Sequence, residues 1–360
     1  MHGADTLKFL QGLISNDVYK LRHDDSNAVY AMILKADGRM GHDVFVFKDI
    51  ETSVNTASDA VVVDHPETAT EELLTYFKRH KLRAKVVIGK SGSIADNTVW
   101  AAWRNRNEDA TSDQLDAVAQ MLRERGATTD NRVTGMGYRW IGRPHDAPLP
   151  AELFEPVSAA HFHLHRLAHA VPEGPADFPQ LGLEANIDFM GAVDYRKGCY
   201  VGQELTARTH HKGVVRKRGV SLRLFREGED IPHEILPEGN LVPYPDLFPL
   251  PPPGSTLTLL NSPAGRPRPS GKLGSSLPVL ARAGLSTITL GFGSVRTDHV
   301  GGPEAHDSVF VVKPPVVEGA EVGNGAGESD EEGGRWLAKA FRSEWLDAKL
   351  AEESERKQQQ

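Results

Sequence analysis

Arg196-Lys197-Gly198-Cys199-Tyr200-Val201-Gly202-Gln203-Glu204-Leu205-Thr206-Ala207-Arg208-Thr209-His210-His211-Lys212-Gly213 holds the single cysteine of this 360-residue chain. Two features of the stretch carry chemistry. Cys199 lies between glycines, Gly198 and Gly202, and glycine lets backbones approach closely. From Arg196 to Arg218 there are seven Lys or Arg residues and one acid, Glu204, in a chain of formal net charge −8. Cations beside a thiol favour the thiolate, which is both nucleophile and metal ligand. The same charge can hold an anion, such as a phosphate or a carboxylate tail. A plainer reading fits the stretch equally well: a cysteine packed as a small hydrophobe, and a basic run on a solvated pair of strands.

Working outward, one thiol excludes an internal disulfide and any all-cysteine metal cage within the chain. It fits a reducing compartment, a special role for the sulfur, or chance. The composition, 39% hydrophobic and 25% charged, is that of a soluble globular protein, and the length suggests two or three domains. No apolar run reaches the roughly 18 residues that a membrane span needs. The acidic excess, 49 against 41 basic residues, gives no support to general nucleic-acid binding. Met1–Gly3 run straight into a helical pattern at Asp5–Gly12, with no targeting peptide, as in a processed chain or a native cytosolic one.

Before the cysteine segment, strands and helices interleave. Ala28–Leu34 and Asp43–Phe47 are β-prone runs flanking an Asp37-Gly38 turn signal, which predicts a hairpin. Ala60–Val63, Lys85–Ile88 and Thr98–Trp103 read as short strands. Pro66–Leu82 reads as a helix with Leu73, Leu74 and Phe77 on one face. Thr111–Gly126 reads as another, with Thr111 and Gln114 forming a capping box and Gly126 stopping it. Ser158–Ala170 is helical between Pro156 and Pro172. Gln180–Cys199 reads as loop and short elements. From Val214 the pattern becomes all-β: Val214–Leu224, Ser255–Leu260, Leu277–Ala283, Thr287–Val295 and Ser308–Val312 alternate as in a small barrel or sandwich. Arg226–Gly254, with eight prolines, reads as an irregular insertion, mobile or extended. Val317–Gly334 reads as a flexible linker, and Arg335–Lys357 as an amphipathic helix with Leu337, Phe341 and Trp345 on one stripe. The expected class is α+β. The expected domains are an α+β region over 1–213 with two subdomains, a β-barrel over 214–313 with its insertion at 226–254, a linker over 314–334 and a C-terminal helix over 335–360.

Two groups of histidines add candidate ligands. His161, His165 and His169 share a helix face near His163, where adjacent turns can place two imidazoles on one metal, although a solvated face explains the spacing better. His210 or His211, close to Cys199 in sequence, can add a ligand or a proton acceptor. Two neighbours on a strand point opposite ways, so at most one reaches the thiol's site. The C-terminal stripe of Trp336, Phe341 and Trp345 reads either as packing on its own domain or as a partner-binding element.

Lys197-Gly198-Cys199-Tyr200-Val201-Gly202-Gln203-Glu204 resembles the signature K-G-C-[FY]-x-G-Q-E of the YgfZ-type proteins, relatives of the glycine-cleavage aminomethyltransferase. Further blocks follow in family order. Gly3-Ala4-Asp5 through Phe9-Leu10-Gln11-Gly12-Leu13 and Ser15-Asn16-Asp17 resembles the family's opening. Asp37-Gly38-Arg39-Met40 with Asp43 resembles its second block, and Asp130–Arg132 with Gly137-Tyr138-Arg139 its third. Val171-Pro172-Glu173-Gly174, then Leu183-Glu184-Ala185-Asn186, resembles the approach to the cysteine motif. The likeness covers residues 3 to about 218, and the β-rich part to about 313 fits the family's barrel. The insertion and the tail fall outside it.

The resemblance implies a ring of domains around a central channel that accepts tetrahydrofolate in several members. Its mitochondrial branch acts late in iron–sulfur cluster biogenesis, in the matrix, helping A-type carrier proteins deliver [4Fe–4S] clusters. It places Cys199 as a ligand to a [2Fe–2S] or [4Fe–4S] cluster shared with a partner, since one thiolate cannot supply the roughly four ligands a cluster needs. Lys197, Arg208 and Lys212 would keep the surroundings positive. Asn16, Asp17, Arg39, Arg132, Tyr138, Arg139, Glu184 and Asn186 are candidates for the folate pocket, with Lys197, Gln203, Glu204 and Arg208 beside the cysteine. A pteridine needs paired donors and acceptors, which Glu184 and Asn186 can supply. The same residues also read as turn caps and structural ion pairs. The chain departs from the aminomethyltransferase at His42-Asp43, where that enzyme has an acidic pair. Asp43 alone would manage protons at the folate nitrogen, so a folate-dependent one-carbon transferase, or a folate-binding scaffold without a cluster, are the rival expectations.

Overall fold

The structure, a computed structural model, describes all residues except 24–25, 50–52, 54–57, 90–97, 105–110, 143–145, 147, 238, 262–267, 282–285, 301–307, 316–333 and 359–360. The expected linker at 317–334 therefore lies almost wholly outside the described residues. The chain forms two compact units, one of residues 1–157 and 187–213, the other of residues 158–186 and 214–360. Helices α1 (Thr6–Gln11), α2 (Thr70–Lys81) and α3 (Ser112–Glu124) belong to the first unit. Helix α4 (Ala159–Ala168) belongs to the second, α5 (Gln203–Lys212) to the first, and α6 (Glu344–Gln358) to the second. Residues 158–186 thus group with the barrel rather than with the region before it.

In the first unit the Asp37-Gly38 signal makes the hairpin it predicts. Strands β1 (Ala28–Leu34) and β2 (Met40–Lys48) pair antiparallel, and β3 (Val61–Asp64) adds to β2. Alternation turns Val29, Ala31, Ile33, Val44 and Val46 into one core with Leu7 and Leu10 of α1 and Leu73 and Phe77 of α2. Each such Leu or Phe contributes roughly 1.5–3 kcal/mol by leaving water. The opposite face carries Tyr30, which pairs with Phe45, and Asp43, which pairs with Met32. A second sheet orders β4 (Thr98–Ala102), β6 (Tyr138–Gly142) and β5 (Thr128–Thr129) as β4-β6-β5. Helix α3 begins at the predicted capping box: the Thr111 hydroxyl accepts from Gln114 N–H and Gln114 Oε1 accepts from Thr111 N–H. Lys85–Ile88 makes only an isolated bridge, Val87 with His2. Val86 joins the core while Val87 is 59% exposed, and the pairing does not extend beyond the bridge into a ladder.

The second unit is the predicted barrel. Strands β7 (Lys217–Arg226), β8 (Leu241–Pro243), β9 (Thr256–Leu259), β10 (Gly271–Ala281), β11 (Ser286–Arg296), β12 (Val309–Lys313) and β13 (Trp336–Phe341) follow the order β11-β7-β13-β12-β9-β10-β8. A β10–β11 pairing closes the ring, with β8 outside it. A register shift between Leu273 and Ser276 lets β10 leave β9 and pair with β8.

Residues 336–341 are therefore strand, not the first turns of a helix. β13 pairs with β7 on one side and β12 on the other. Without it both strands would expose unpaired edges, and filling that gap outweighs the weak helical preference of Leu-Ala-Lys-Ala. The helix begins at Glu344 and packs on its own unit: Trp345 Nε1 donates to His169 O at 2.9 Å and Leu346 is fully buried. The proline-rich insertion is tied down as well. Ile235 and Leu236 pack on the barrel core with Leu164, Leu167 and Phe292, and Phe248 stacks on Trp336. The α4 histidines find partners within the unit. His161 meets Ser158, His169 meets the His165 carbonyl, and half-buried His163 lies 3.2 Å from Ser275 Oγ.

Candidate functional site

Cys199 is exposed, on a loop that runs from Asp194 into α5. What fixes the loop is Lys197. Its ammonium donates to three carbonyl oxygens of the turn after α1: Gln11 at 2.7 Å, Ile14 at 2.6 Å and Asn16 at 2.9 Å. Three N–H donors meet three acceptors, so no donor remains for an anion. Burial pushes this amine down to about 8, opposed by the charges of Asp17 and Asp194. The expectation that Lys197 faces a ligand is corrected accordingly: its three donors are spent inside the turn.

The receiving turn is built from the Gln11-to-Asp17 block. Ser15 Oγ donates to Ala192 O at 2.6 Å and accepts from Met32 N–H. Asn16 donates to Tyr30 O and Gly191 O, and its carbonyl accepts from Asp17 N–H and Lys20 Nζ. Asp17 caps the 3-10 turn at Val18–Arg22 by accepting from Tyr19 N–H. Both side chains hold the turn, and Asn16 also lines the cleft described below. Asp194 is raised by burial, but hydrogen bonds from Arg196 N–H and Lys20 hold it below its ordinary value.

After the cysteine the chain is seated on the hairpin turn. Val201 N–H donates to Gly12 O at 3.1 Å. Gly202 has φ +79°, and a Cβ there would lie 2.4 Å from Lys35 O and 2.8 Å from Leu34 Cβ. Facing it, Gly38 has φ +81°, and a Cβ would meet Leu205 Cβ at 2.5 Å and Gly202 O at 2.9 Å. Gly198 has open space where a Cβ would be. Close approach thus belongs to Gly202 and Gly38, not to both glycines around the thiol. Gln203 Oε1 accepts from Tyr200 N–H at 3.3 Å, and burial raises the Tyr200 hydroxyl to about 12.

Gln203–Lys212 is helix, so His210 and His211 are not opposed strand neighbours. His210 stacks on Tyr195, ring centres 3.6 Å apart, and His211 meets His210 edge-on at 5.1 Å. Thr206 is buried under the helix, while Glu204, Arg208, His211 and Lys212 are exposed. Among the described residues no three His, Cys, Asp or Glu side chains gather to hold a metal ion.

The other candidates are spread over both units. In the first unit a cleft of about 210 Å³ is lined by residues that include Asn16, Lys20, Tyr30, Phe45, Asn131 and Arg132. Arg132 forks onto Asp130, with both residues buried, and its guanidinium lies 5.2 Å from the Tyr30 ring and 4.9 Å from that of Phe45. Arg139 binds Asp64 at 2.7 Å, and its guanidinium lies 4.7 Å from the Phe45 ring centre. Asp43 is buried on the Phe45 face of β2. Tyr138 packs with Leu122 and Trp140, and exposed Arg39 sits beside Asp37 on the turn. Sequence reasoning missed Lys20, Tyr30, Phe45 and Asn131. The Tyr30–Phe45 pair was within reach, because the Asp37-Gly38 turn fixes the register that makes them cross-strand neighbours. In the second unit Glu184 takes a 3.4 Å contact from Lys217. Asn186 is fully buried, with its amide spent on Gly219, donating to its O and accepting from its N–H. Asn186 is therefore a backbone clasp rather than half of a pteridine-reading pair.

No family model matches the chain. Curated proteins do. The chain is 34% identical over 305 residues to "Iron-sulfur cluster assembly factor IBA57 homolog, mitochondrial" of Coccidioides immitis, covering 80% of this chain and 69% of that protein. The protein of the same name from Mycosarcoma maydis is 39% identical over 241 residues, 65% of this chain and 56% of its own. That from Chaetomium globosum is 30% identical over 371 aligned positions, covering 97% of this chain and 81% of its own. Among solved structures, the glycine cleavage system aminomethyltransferase T from Bartonella henselae aligns over 96% of this chain and 82% of its own, with TM-score 0.48 and 10% identity.

Proposed function

Because the chain belongs to the IBA57 family of mitochondrial iron–sulfur cluster assembly factors, we propose that it works in the mitochondrial matrix with an A-type carrier, Cys199 lending one thiolate to a cluster shared between the two chains. The observation that carries this reading is the exposed sulfur on a loop held rigid by Lys197 and Gly202. One thiolate falls short of the roughly four ligands a cluster takes. With no further ligand set gathered among the described residues, the remaining ligands come from the carrier. The cluster is cargo, and the chain's task is to present a fixed ligand. Rigidity matters because a ligand held within about 0.5 Å loses little freedom on binding.

A folate-like anion in the cleft beside Arg132 is the second part of the reading. The Tyr30 and Phe45 rings and the Arg132 guanidinium line this cleft, groups that suit a flat, anionic ring system. At about 210 Å³ the cleft is smaller than the roughly 300–1,000 Å³ of ordinary ligand sites, so it takes one ring of a folate rather than the whole molecule. Buried Asp43 is the residue on which a one-carbon transferase would rely.

Anaerobic mixing of the chain with an A-type carrier, ferrous iron, sulfide and a thiol reductant tests the proposal, read by visible absorption and size exclusion. A mixed complex carrying the cluster chromophore is expected, and Cys199→Ser is expected to abolish it. Undiminished chromophore in the mixed complex of that variant sinks the ligand role. Turnover of an aminomethyl donor with tetrahydrofolate, lost in Asp43→Asn, would favour the enzyme instead.

A further inference from the structure

Helix α5 has two sides. Leu205 packs against Gly38, Thr206 is buried and His210 stacks on Tyr195, so one side is committed to the first unit. At 100° per residue, Glu204, Arg208, His211 and Lys212 form a single stripe on the other side, and all four are exposed. Exposed Arg196 and exposed Cys199 lie in the loop that leads into the same helix. Arg208 is about 7 Å along the axis from the first residue of α5. The side chains of Arg196, Arg208 and Lys212 form no ion pair among the described residues. Arg196 gives its backbone N–H to Asp194 and acts on that carboxylate through its charge.

Lys212 in the last turn suits the helix dipole, and Glu204 precedes Arg208 by four residues, the favourable order for opposite charges. Like charges at i and i+4, as at Arg208 and Lys212, cost a helix a few tenths of a kcal/mol, by about the amount an opposite pair would add. The patch also has the opposite sign to the chain, whose formal charge is −8. A positive patch on a negative molecule orients an incoming acidic surface, because the rest of the surface repels it.

We propose that the exposed stripe of α5, with Arg196, is the docking face for an acidic protein surface, which it steers onto Cys199. The inference rests on the reading of Cys199 as a shared ligand and adds the chemistry of the partner's contact surface. Steering acts on the rate of encounter and on its salt dependence, whereas the thiolate acts on the cluster.

That difference separates the two claims experimentally. Association of the full chain with an A-type carrier is followed by stopped flow at about 20 mM and about 200 mM salt. The wild type is expected to associate at least about 10-fold faster at low salt. Arg208→Glu with Lys212→Glu is expected to lose most of that rate advantage and its salt dependence, with Arg208→Gln and Lys212→Gln intermediate and Arg208→Lys close to wild type. Circular dichroism of each variant confirms an intact fold. Cys199→Ser is expected to keep the wild-type association rate and salt dependence while losing the cluster chromophore. Equal rates and salt slopes for the double reversal and the wild type overturn the docking face, as does a wild type that does not associate with the carrier. A Cys199→Ser complex that keeps both the rate and the chromophore overturns the ligand role and leaves the docking face standing.

Discussion

Gly202→Ala and Gly198→Ala change the same atom three residues after and one residue before the thiol, yet they should differ by several kcal/mol. Gly202 has φ +79°, in the left-handed region, where an L side chain costs about 1–2 kcal/mol. Its Cβ would also sit 2.4 Å from the Lys35 carbonyl oxygen and 2.8 Å from Leu34 Cβ, where neither neighbour is a flexible side-chain tip. Relieving such overpacking costs about 1–3 kcal/mol. The sum, about 2–5 kcal/mol, is a large part of the roughly 5–15 kcal/mol that holds a domain folded. Gly198 meets nothing within 4 Å of the added atom and has no left-handed φ, so its substitution should stay within about 0.5 kcal/mol. Urea unfolding followed by circular dichroism measures both, and amide exchange at Val201 and Gln203 reads the loop directly. Gly202→Ala should raise exchange there and lower the midpoint. If the two variants unfold within about 0.5 kcal/mol of each other, the loop is not seated on the hairpin turn and the argument for a fixed thiol fails.

Lys197→Met removes three charge-assisted hydrogen bonds and should cost about 2–4 kcal/mol after the desolvation it relieves, by urea unfolding. Lys197→Arg should not rescue it, because a planar guanidinium cannot reach three converging carbonyls. His163, pushed down from 6.5 to about 4 by burial and by Arg166, is neutral when folded, while the unfolded chain binds the proton from about 6.5 downward. Its contribution is therefore present above about pH 6.5 and lost as pH falls toward 4. Urea titrations across that window should lose up to about 3 kcal/mol in the wild type and visibly less in His163→Gln. Glu353→Gln leaves the buried Arg218 guanidinium without its carboxylate, which lies 3.1 Å away, and should cost about 3 kcal/mol. Urea unfolding followed by circular dichroism measures it, and a change below about 0.5 kcal/mol would mean the pair does not hold α6 in place.

What the sequence disclosed was what neighbours in sequence decide. The hairpin followed from Asp37-Gly38, and α3 from Thr111 and Gln114, because a turn or a cap is settled within a few residues. The barrel followed from alternation, which also needs no partner. The strand at 336–341 stayed hidden because its reason lies in Arg226 and Phe225, its register partners about 110 positions earlier. The cysteine motif was legible as a motif but not as a mechanism. Lys197 reads as one more cation in a basic run, and only its contacts with Gln11, Ile14 and Asn16, more than 180 residues away, make it a clamp. Gly198 and Gly202 look alike in sequence, and only the hairpin beneath one of them tells them apart. Asn186 was similarly hidden, since a left-handed asparagine bonded to Gly219 resembles a ligand-reading amide until its partner is seen.

Because the chain has a single cysteine, one intact-mass measurement addresses the central claim. The chain is alkylated anaerobically for a fixed short time, alone and after cluster assembly with an A-type carrier, and the fraction of chains carrying one added group is counted. Near-complete labelling alone and strong protection in the cluster-loaded complex, reversed when the cluster is stripped by acid or chelator, is the predicted result. Equal labelling with and without the cluster would contradict it, because a sulfur bonded to iron cannot be alkylated at the rate of a free one.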